Sequence, residues 1–272
     1  MKLTILTDNS TRIDEYYLGE PGVSYYIEDG EQKILFDTGY SDVFVKNAEK
    51  LGIDLEKVDT VVLSHGHNDH TRGLLYLPKS SKKRVLYAHP DVFLPKRHGE
   101  KAFGAPISAE NANELFDLKL SKNPAKITEN ITFLGEIPRG NDFEAKQPLG
   151  EKLEQDGTWQ PDYLLDDSAI VYDGGEEGLT VITGCSHAGI CNIVEYAKKV
   201  CKNDKINGII GGFHMMQLTS RVGKTVEYLK KQQPKHLCPC HCTCFYARAA
   251  IHAAVPIEEA CVGDVMTFET MN

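Results

Sequence analysis

The sequence contains no apolar run that approaches the roughly 20 residues a helix needs to cross a bilayer. It also lacks an excess of basic residues, because 30 lysines and arginines stand against 39 aspartates and glutamates, for a net charge of −9. Nucleic-acid phosphates call for a basic face, so this balance argues against nucleic acid as the main partner. Repeats and low-complexity linkers are absent too. These absences favour an ordinary globular protein with no membrane partner.

The N-terminus does not have the pattern of a secretion signal, because its first strand-like segment reaches Asp8 too early. Eight cysteines in a chain without such a signal indicate reduced thiols, so we expect a cytoplasmic protein. A chain of 272 residues has room for one large α/β domain or two small ones. Since no linker divides it, we predict a single domain over residues 1–272.

Strand and helix patterns alternate along most of the chain. Apolar segments at 23–27 and 33–36 flank a turn at 28–31 and predict a hairpin. Further predicted strands lie at 58–63, 84–88, 131–134, 168–172, 178–183 and 206–210. Predicted helices lie at 42–51, 108–115, 191–200 and 220–231. In the second half, the repeating unit is a strand, a polar tip with a histidine, and a helix.

The segment from about 91 to 161 is less regular than the rest. Long irregular segments within a compact domain are often lids or substrate-binding loops. The alternative is a surface insertion that the fold merely tolerates. We therefore predict an insertion here. It either covers the active site or is a surface segment that the fold tolerates.

The residues from His65 to His70 read His-Gly-His-Asn-Asp-His and are the most informative segment of the chain. They follow the apolar strand pattern at 61–63, which would deliver them into a cleft. The first two histidines can project to one side of an extended tip, and the aspartate and last histidine suit a first helical turn. A helix start alone would explain the aspartate but not three close histidines. Because imidazole and carboxylate bind zinc, iron and manganese, the segment predicts a metal site.

Three later histidines, His187, His214 and His241, also follow predicted strands. Catalytic groups of layered α/β folds gather at strand ends, where loops are free to vary. Any one of the three on its own could be an ordinary core or surface histidine. Because His187 and His241 follow predicted strands just as residues 65–70 do, they are candidate metal ligands. His214 is a candidate proton donor or oxyanion contact, with local packing as the alternative.

The whole pattern resembles the metallo-β-lactamase superfamily. Residues 65–70 match its HxHxDH signature, and Phe-Asp-Thr-Gly at 36–39 resembles the strand and turn that precede it. The resemblance spans nearly the full chain and implies an α/β fold of four layers, an αβ/βα sandwich, with metal between the inner sheets. It assigns His65, His67 and His187 to one metal, and Asp69, His70 and His241 to the other. Asp37 would orient the ligand imidazoles or their turn.

The ligands implied by the resemblance suit one or two divalent ions. Zinc is the ion we expect first, with iron or manganese as alternatives, because the same nitrogen and oxygen ligands serve all three. The family commonly has an isolated histidine, followed by Asp or Cys beyond a Thr-Gly turn. Here Thr183-Gly184 is followed by Cys185, Ser186 and His187, with no acidic residue. Either His187 supplies the missing ligand from another backbone position or Cys185 is a ligand, and a mononuclear site stays open.

Four cysteines, Cys238, Cys240, Cys242 and Cys244, alternate around His241. In an extended segment they would share one face and could form a soft-metal or redox-sensitive spot. The alternative is a set of buried, reduced thiols beside the active site.

The resemblance implies metal-assisted hydrolysis, with Asp69 and His214 as the catalytic groups. Arg139, Lys96 and Arg97 are candidates for binding an anionic substrate, since cationic side chains pair with phosphate or carboxylate. A solvated basic loop is the alternative for them. We therefore predict a hydrolase that acts on a small, phosphate-bearing molecule.

Two other functions remain open. Segments at 135–139, 183–190, 211–214 and 241–243 look like a subgroup that includes an archaeal methanopterin-pathway dihydropterin transferase. That resemblance implies a metal-dependent transferase that joins a dihydropterin methyl diphosphate to an aryl ribofuranoside phosphate. The third hypothesis, suggested by the cysteines, is a metal or redox sensor without turnover.

Overall fold

Two large β-sheets lie face to face in the computed structural model, which describes residues 1–270. In chain order the strands are β1 (Lys2–Thr7), β2 (Ser24–Asp29), β3 (Gln32–Phe36), β4 (Thr60–Val62), β5 (Arg84–Ala88), β6 (Lys96–His98), β7 (Lys101–Ala102), β8 (Phe116–Leu120), β9 (Ala125–Lys126), β10 (Ile131–Phe133), β11 (Glu151–Leu153), β12 (Trp159–Pro161), β13 (Ala169–Asp173), β14 (Leu179–Thr183), β15 (Ile206–Gly212), β16 (His236–Cys240) and β17 (Val265–Thr267). The α-helices are α1 (Val43–Lys50), α2 (Asn68–Thr71), α3 (Ala109–Leu115), α4 (Ile190–Cys201), α5 (Ser220–Gln232) and α6 (Phe245–His252). Short 3-10 turns lie at Leu55–Lys57, Arg72–Leu75 and Pro90–Phe93.

Within residues 1–270 the strands form three sheets. The first has seven strands in the order β17-β1-β2-β3-β4-β5-β8, and the second has six in the order β16-β15-β14-β13-β10-β9. The third is a small sheet of β12, β11, β6 and β7. Strands β3, β4, β5 and β8 run parallel, as do β14, β15 and β16. The carboxyl ends of the parallel strands therefore meet at one edge of each large sheet.

Alternate residues of the central strands face two different cores. On β3, Ile34 and Phe36 pack between the two sheets, whereas Leu35 packs on the outer face. On β13, Ile170 faces the first sheet and Val171 faces outward. The period of two in strand geometry produces this division. Both faces of each sheet are apolar, so each sheet needs a cover on its outer side.

Helices provide that cover. Helices α1 and α3 pack on the outer face of the first sheet, through Phe44, Ala48 and Ala112. Helices α4, α5 and α6 cover the second sheet, with Ile193, Leu229 and Ile251 among their buried residues. The order of layers is thus helix, sheet, sheet, helix, which confirms the predicted αβ/βα sandwich. Among the described residues, none of the helices combines the length and apolarity needed to cross a membrane.

The predicted hairpin and the predicted helices are confirmed, with ends that move by one or two residues. Strands β2 and β3 pair antiparallel through Tyr25 and Phe36. The helix predicted at 108–115 begins at Ala109, because the Ser108 hydroxyl accepts the Asn111 N–H as an N-cap.

The 91–161 segment is more ordered than its sequence indicates. Strand β8 extends the first sheet, β9 and β10 extend the second, and the remaining strands build the small third sheet. The irregular pattern reflects short strands of two to five residues, which leave little room for an alternating signal. The single domain and the covering role of this segment stay predictions.

Candidate metal centre

The polar residues singled out in the sequence come together where the carboxyl ends of five strands meet. Strand β3 ends at Asp37, and β4 leads into the turn that carries residues 65–70. From the second sheet, β14 leads to Cys185 and His187, β15 to His214 and β16 to His241. The two inner sheets therefore contribute ligands from opposite sides, which places the centre at the end of the cleft between them.

His65, His67 and His187, hereafter the imidazole triad, form a nearly equilateral triangle. Their ring centroids are 4.5 Å apart for His65 and His67, 4.7 Å for His65 and His187, and 4.8 Å for His67 and His187. All three Nε2 atoms are buried, and none has a hydrogen-bond partner in the part of the chain the structure describes. Buried polar atoms are normally paired, so three such atoms on neighbouring rings need an explanation.

A divalent metal ion fits the triad. Burial lowers the pKa of His65 and His187 well below the usual 6.5, and that of His67 to about 3. The rings are therefore neutral near pH 7, and neutral imidazole is the form that binds metal. The triad supplies the three nitrogen ligands of a typical catalytic zinc site.

A second group of ligand atoms, hereafter the mixed set, lies beside the triad. It consists of Asp69, His70, Cys185 and His241, whose ligand atoms all lie within 4.8 Å of one another. His70 Nε2 is 3.1 Å from Cys185 Sγ and 3.6 Å from Asp69 Oδ2. His241 Nε2 is 3.4 Å from the same Asp69 oxygen. This set offers two nitrogens, a carboxylate and a thiol to a second ion.

Cys185 lies between the two groups. Its Sγ also lies within 4.8 Å of the ligand nitrogens of His65 and His187. Burial raises the pKa of the Cys185 thiol well above its usual value, whereas a coordinated metal would deprotonate it. The sequence left His187 and Cys185 as competing replacements for the missing acidic ligand. In the structure each has a place of its own, because His187 lies beside His65 and His67, whereas Cys185 lies near ligand atoms of both groups.

Asp37 orients two of the histidines, His70 directly and His65 through Ser64. Its carboxylate accepts hydrogen bonds from Ser64 N (2.7 Å), Ser64 Oγ (2.7 Å) and His70 Nδ1 (2.7 Å). Since the Ser64 hydroxyl donates to Asp37, His65 Nδ1, 2.9 Å away, donates to that hydroxyl. The bonds occupy the Nδ1 atoms of His65 and His70, so the Nε2 atoms are the ones left to bind a metal, which at His70 would have to displace a proton.

Asn9 plays the same part for His241, and the sequence reasoning missed it. The Asn9 Oδ1 atom lies 2.9 Å from His241 Nδ1. The residue follows β1, which runs in the same direction as β3 and so ends at the same edge of the sheet. The signal for Asn9 in the sequence was its position, because it is a polar residue just after the first strand-like segment.

The charges around Asp69 and His70 favour the carboxylate form of Asp69 and the protonated form of His70. Burial alone would lower the pKa of His70, but Asp69 and Asp37 outweigh it and raise that pKa to about 9. Burial would raise the pKa of Asp69, but His70 and His241 hold it well below its usual range. Asp69 is thus a carboxylate at neutral pH, as a ligand must be.

His214 lies beside the triad. Its ring centroid is 4.3 Å from that of His187, and its Nδ1 is buried with no hydrogen-bond partner among residues 1–270. Its backbone N–H donates to Cys242 Sγ at 3.2 Å. The placement suits a proton donor next to the metal, a role that stays a prediction.

The structure corrects the prediction that Lys96 binds an anionic substrate. Lys96 is 1% exposed, and its ammonium donates to Asp162 Oδ2 (2.6 Å) and Asp166 Oδ1 (3.1 Å). The other Asp166 oxygen accepts the Gly66 N–H at 2.8 Å. The lysine is therefore neutralised in the interior and supports the turn that carries the first histidines. Its burial depends on partners about 70 residues away, which a local basic pattern does not reveal.

The other two predicted anion-binding residues have partners within the protein. The Arg97 guanidinium stacks on Trp159, 3.9 Å from the ring centroid, and donates to Glu151 Oε2 at 3.0 Å. The Arg139 guanidinium donates from Nη2 to the carbonyl oxygens of Tyr163 (3.2 Å) and Leu164 (2.7 Å). Neither residue lines the two cavities beside the centre, in the part of the chain described. Their substrate role stays a prediction.

The four alternating cysteines do not gather in the described residues, which favours the interpretation as buried thiols over a soft-metal spot. Cys238 and Cys240 lie in the core between the sheets, whereas Cys244 packs against the outer core. The alternation fails at His241, whose φ of 48° turns the chain out of the extended conformation. Cys242 alone approaches the centre, within 4.8 Å of ligand atoms of Cys185 and His214.

Two cavities open on either side of the centre. The first, of about 300 Å³, is hereafter the cationic lobe, and its lining includes Lys146, Tyr163, His187, His214 and Arg221. The second, of about 570 Å³, is hereafter the aromatic lobe, and its lining includes Tyr40, His67, Asp69, His98, Lys101 and Phe103. Leu149 lines both. The sequence analysis missed Arg221, which lies in the first turn of α5 outside any motif.

Comparisons with known proteins agree with this geometry. The family model described as the metallo-beta-lactamase superfamily matches residues 18–200. An uncharacterized protein of Methanocaldococcus jannaschii is 34% identical over 250 residues, covering 90% of this chain and 91% of the relative. The 7,8-dihydropterin-6-methyl-4-(beta-D-ribofuranosyl)-aminobenzene-5'-phosphate synthase of the same organism is 30% identical over 262 residues, covering 91% and 89%. A crystal structure described as a metal-dependent hydrolase of the beta-lactamase superfamily superposes with a TM-score of 0.86 at 30% identity, covering 99% of each chain.

Proposed function

The chain belongs to the metallo-beta-lactamase superfamily, and from this membership we propose that it is a metal-dependent hydrolase of a small, phosphate-bearing substrate. The imidazole triad carries the proposal, because its three rings are neighbours and each has a buried Nε2 atom without a hydrogen-bond partner in the described residues. The triad and the mixed set would hold one or two divalent ions, zinc first, with iron or manganese as alternatives. When bound, such an ion supplies Lewis acidity, which lowers the pKa of water towards about 7 and stabilises charge on a substrate oxygen.

The protein's own residues supply the remaining steps. The Asp69 carboxylate, ionised at neutral pH, accepts a hydrogen bond from the attacking water and orients it. His214 gives a proton from Nδ1 to the oxygen of the leaving group, since that atom is buried next to the triad. Asp37 keeps His70 and, through Ser64, His65 in their binding orientation.

Hydrolysis of a panel of phosphodiesters tests the proposal. Metal-loaded wild-type protein should release p-nitrophenolate from bis(p-nitrophenyl) phosphate. The His214→Gln variant should lose about 10²-fold or more in kcat, the usual contribution of a general acid, at unchanged metal content. His236→Gln changes a partly exposed histidine at the start of β16, at the end of the strand away from His241, and as the matched control it should keep full activity. A metal-loaded protein that hydrolyses none of the panel would contradict the proposal.

A second candidate function is favoured by one comparison. The relative that is 30% identical over 91% of this chain is a synthase of a dihydropterin–aminobenzene ribofuranosyl phosphate. It supports a transferase that joins a dihydropterin methyl diphosphate to an aryl ribofuranoside phosphate, with diphosphate as the leaving group. Diphosphate release that requires both compounds would establish the transferase. Release from the pterin diphosphate alone would instead favour the hydrolase.

A cytoplasmic location is part of the same proposal. All eight cysteines lie within the described residues as free thiols. Reduced thiols are the usual state of cysteine in the cytoplasm.

A further inference from the structure

The cationic lobe has an unusual charge for this chain. Its lining holds two cations, Lys146 and Arg221, and no carboxylate among the described residues, in a protein with a net charge of −9. Histidines His187 and His214 form its end at the metal centre. The lobe is therefore a local positive site that opens directly on the reacting groups.

Arg221 is held in place without being neutralised. Its Nη2 donates to the Phe213 carbonyl oxygen at 3.2 Å, and its Nη1 to that of His214 at 3.4 Å. Its Nε is buried and has no hydrogen-bond partner within residues 1–270. Carbonyl oxygens orient a guanidinium but leave its full charge available to an anion.

Lys146, which lines the same cavity, shows the same arrangement. Its ammonium donates to the Asn141 carbonyl oxygen at 2.7 Å rather than to a carboxylate. By contrast, Arg97 and Lys96 are each paired with acidic side chains. Arg139 also donates only to carbonyl oxygens, but it does not line the cavity that Lys146 and Arg221 share.

The aromatic lobe has a different character. It contains Lys101, but also the Asp69 carboxylate, and its walls include Phe103 and Tyr40. The Phe103 ring stands edge-on to His67, with centroids 4.8 Å apart. This side suits a flat, weakly charged group, which leaves the cationic lobe for an anion.

We infer that Arg221, with Lys146, binds a second phosphate of the substrate, one that does not react and that lies in the cationic lobe. The lobe, at about 300 Å³, has the volume of about ten waters and accommodates a phosphate on a short carrier. Guanidinium groups bind phosphate with two parallel hydrogen bonds, which gives Arg221 the larger share of the recognition. The inference rests on the proposed hydrolytic function and adds its specificity: a diester or anhydride that also carries a terminal phosphate.

A matched pair of chromogenic substrates tests the inference. Thymidine 5'-(p-nitrophenyl phosphate) has a single phosphodiester, and its 3'-phosphorylated form has an additional phosphate monoester. Metal-loaded wild-type protein should show a KM about tenfold lower for the 3'-phosphorylated compound, as expected for a charge-assisted pair. Arg221→Gln should remove that difference. Because the two compounds are compared within each variant, an effect of Arg221 on His214, whose carbonyl oxygen it contacts, acts on both compounds and leaves the comparison valid. Arg221→Lys should restore part of it.

Two further variants serve as controls. Arg248 also has a buried Nε without a partner in the described chain, but it lines a separate cavity. Arg248→Gln should therefore keep the tenfold preference. Lys146→Gln changes an exposed side chain that cannot endanger folding, and it should reduce the preference in the same direction as Arg221→Gln. An unchanged preference in both Arg221→Gln and Lys146→Gln would overturn the inference.

The inference can fail separately from the hydrolytic function. If the wild type hydrolyses the plain diester but shows no preference for the 3'-phosphate, the subsite is wrong and the hydrolase stands. If it hydrolyses neither compound, the hydrolase fails, and binding of inorganic phosphate to metal-loaded protein decides the subsite. In that case ³¹P NMR should show binding weakened about tenfold by Arg221→Gln and unaffected by Arg248→Gln. Equal binding by wild type and Arg221→Gln would overturn the subsite.

Discussion

At the scale of single residues, the centre depends on pairing each ligand with a partner on its far side. Asp37, Ser64 and Asn9 each fix one nitrogen of a ligand histidine and so leave the other nitrogen free. Such partners determine ring orientation and tautomer, and their loss typically costs 10–100-fold in metal affinity. Asp37 adopts a φ of 54°, a left-handed conformation uncommon outside glycine, and its carboxylate faces His70 and Ser64.

Cys185 is a candidate metal ligand whose role can be tested directly. With cobalt(II) in place of the native ion, the wild type should show a thiolate-to-metal charge-transfer band in the near ultraviolet. Cys185→Ser should lose that band, because Sγ is the sulfur that lies among the ligand atoms of both groups. Cys201→Ser, a half-buried thiol on α4, is the control and should keep it. A band of equal intensity in Cys185→Ser would show that the thiol is not a ligand.

His67 should make the metal-free protein sensitive to acid. Burial is the main reason its pKa falls to about 3, aided by Lys96 and His70 and opposed by Asp69 and Asp166. Between pH 6.5 and about 3, the unfolded chain binds a proton at His67 that the folded chain does not. The free energy of unfolding therefore falls as the pH drops through this window, by up to about 1.4 kcal/mol per unit.

The difference between wild type and His67→Gln isolates this effect. Urea unfolding of both metal-free proteins should give a difference in the free energy of unfolding, wild type minus variant, that is constant above pH 6.5 and falls as the pH drops below it, since only the wild type gains a proton at this position on unfolding. Parallel curves from pH 7 to pH 4 would refute the lowered pKa.

At the scale of elements, the turn after β4 is held by close contact with the 91–166 region. The Gly66 N–H donates to Asp166, and the buried Lys96 packs against the same glycine. A Cβ added at Gly66 would lie 2.2 Å from the Val92 carbonyl oxygen and 2.9 Å from Lys96 Cε. The glycine is thus required by space rather than by backbone conformation.

Two glycine substitutions should act in opposite directions. Gly66→Ala should lower the free energy of unfolding by about 2 kcal/mol or more, because a backbone oxygen must move to make room. Gly223→Ala lies inside α5, where the added Cβ meets nothing within 4 Å, and should raise it by about 0.5–1 kcal/mol. Thermal and urea unfolding of both variants check the pair. If both substitutions changed the free energy of unfolding in the same direction and by the same amount, the turn at Gly66 would be able to relax around the added methyl group.

Elements and ligand positions were largely predictable, for physical reasons. Apolar alternation and turn residues located strands such as β5 and β13, and the histidines that follow β4, β14, β15 and β16 lie at the carboxyl ends of parallel strands. The fate of Lys96 was not predictable, because its burial depends on Asp162 and Asp166 from a distant segment. Arg221 could not be identified from the sequence for the same reason. The cavity that it lines forms only when α5 and the 141–149 segment come together in the fold.

At the scale of the whole molecule, the centre joins the two halves of the sandwich. The segment from His65 to His70 follows the first sheet, whereas Cys185, His187 and His241 follow strands of the second. The apolar core between the sheets holds these strand ends at a fixed separation. Ligands far apart in sequence therefore form one site, and the fold itself sets their spacing.

Elemental analysis of protein purified without added metal tests the central claim most directly. The wild type should contain one or two equivalents of a divalent metal per chain. His67→Ala should contain less than half of that amount, because it removes one corner of the triad, whereas the exposed-histidine control His236→Ala should match the wild type. An unchanged metal-to-protein ratio in folded His67→Ala would contradict the account.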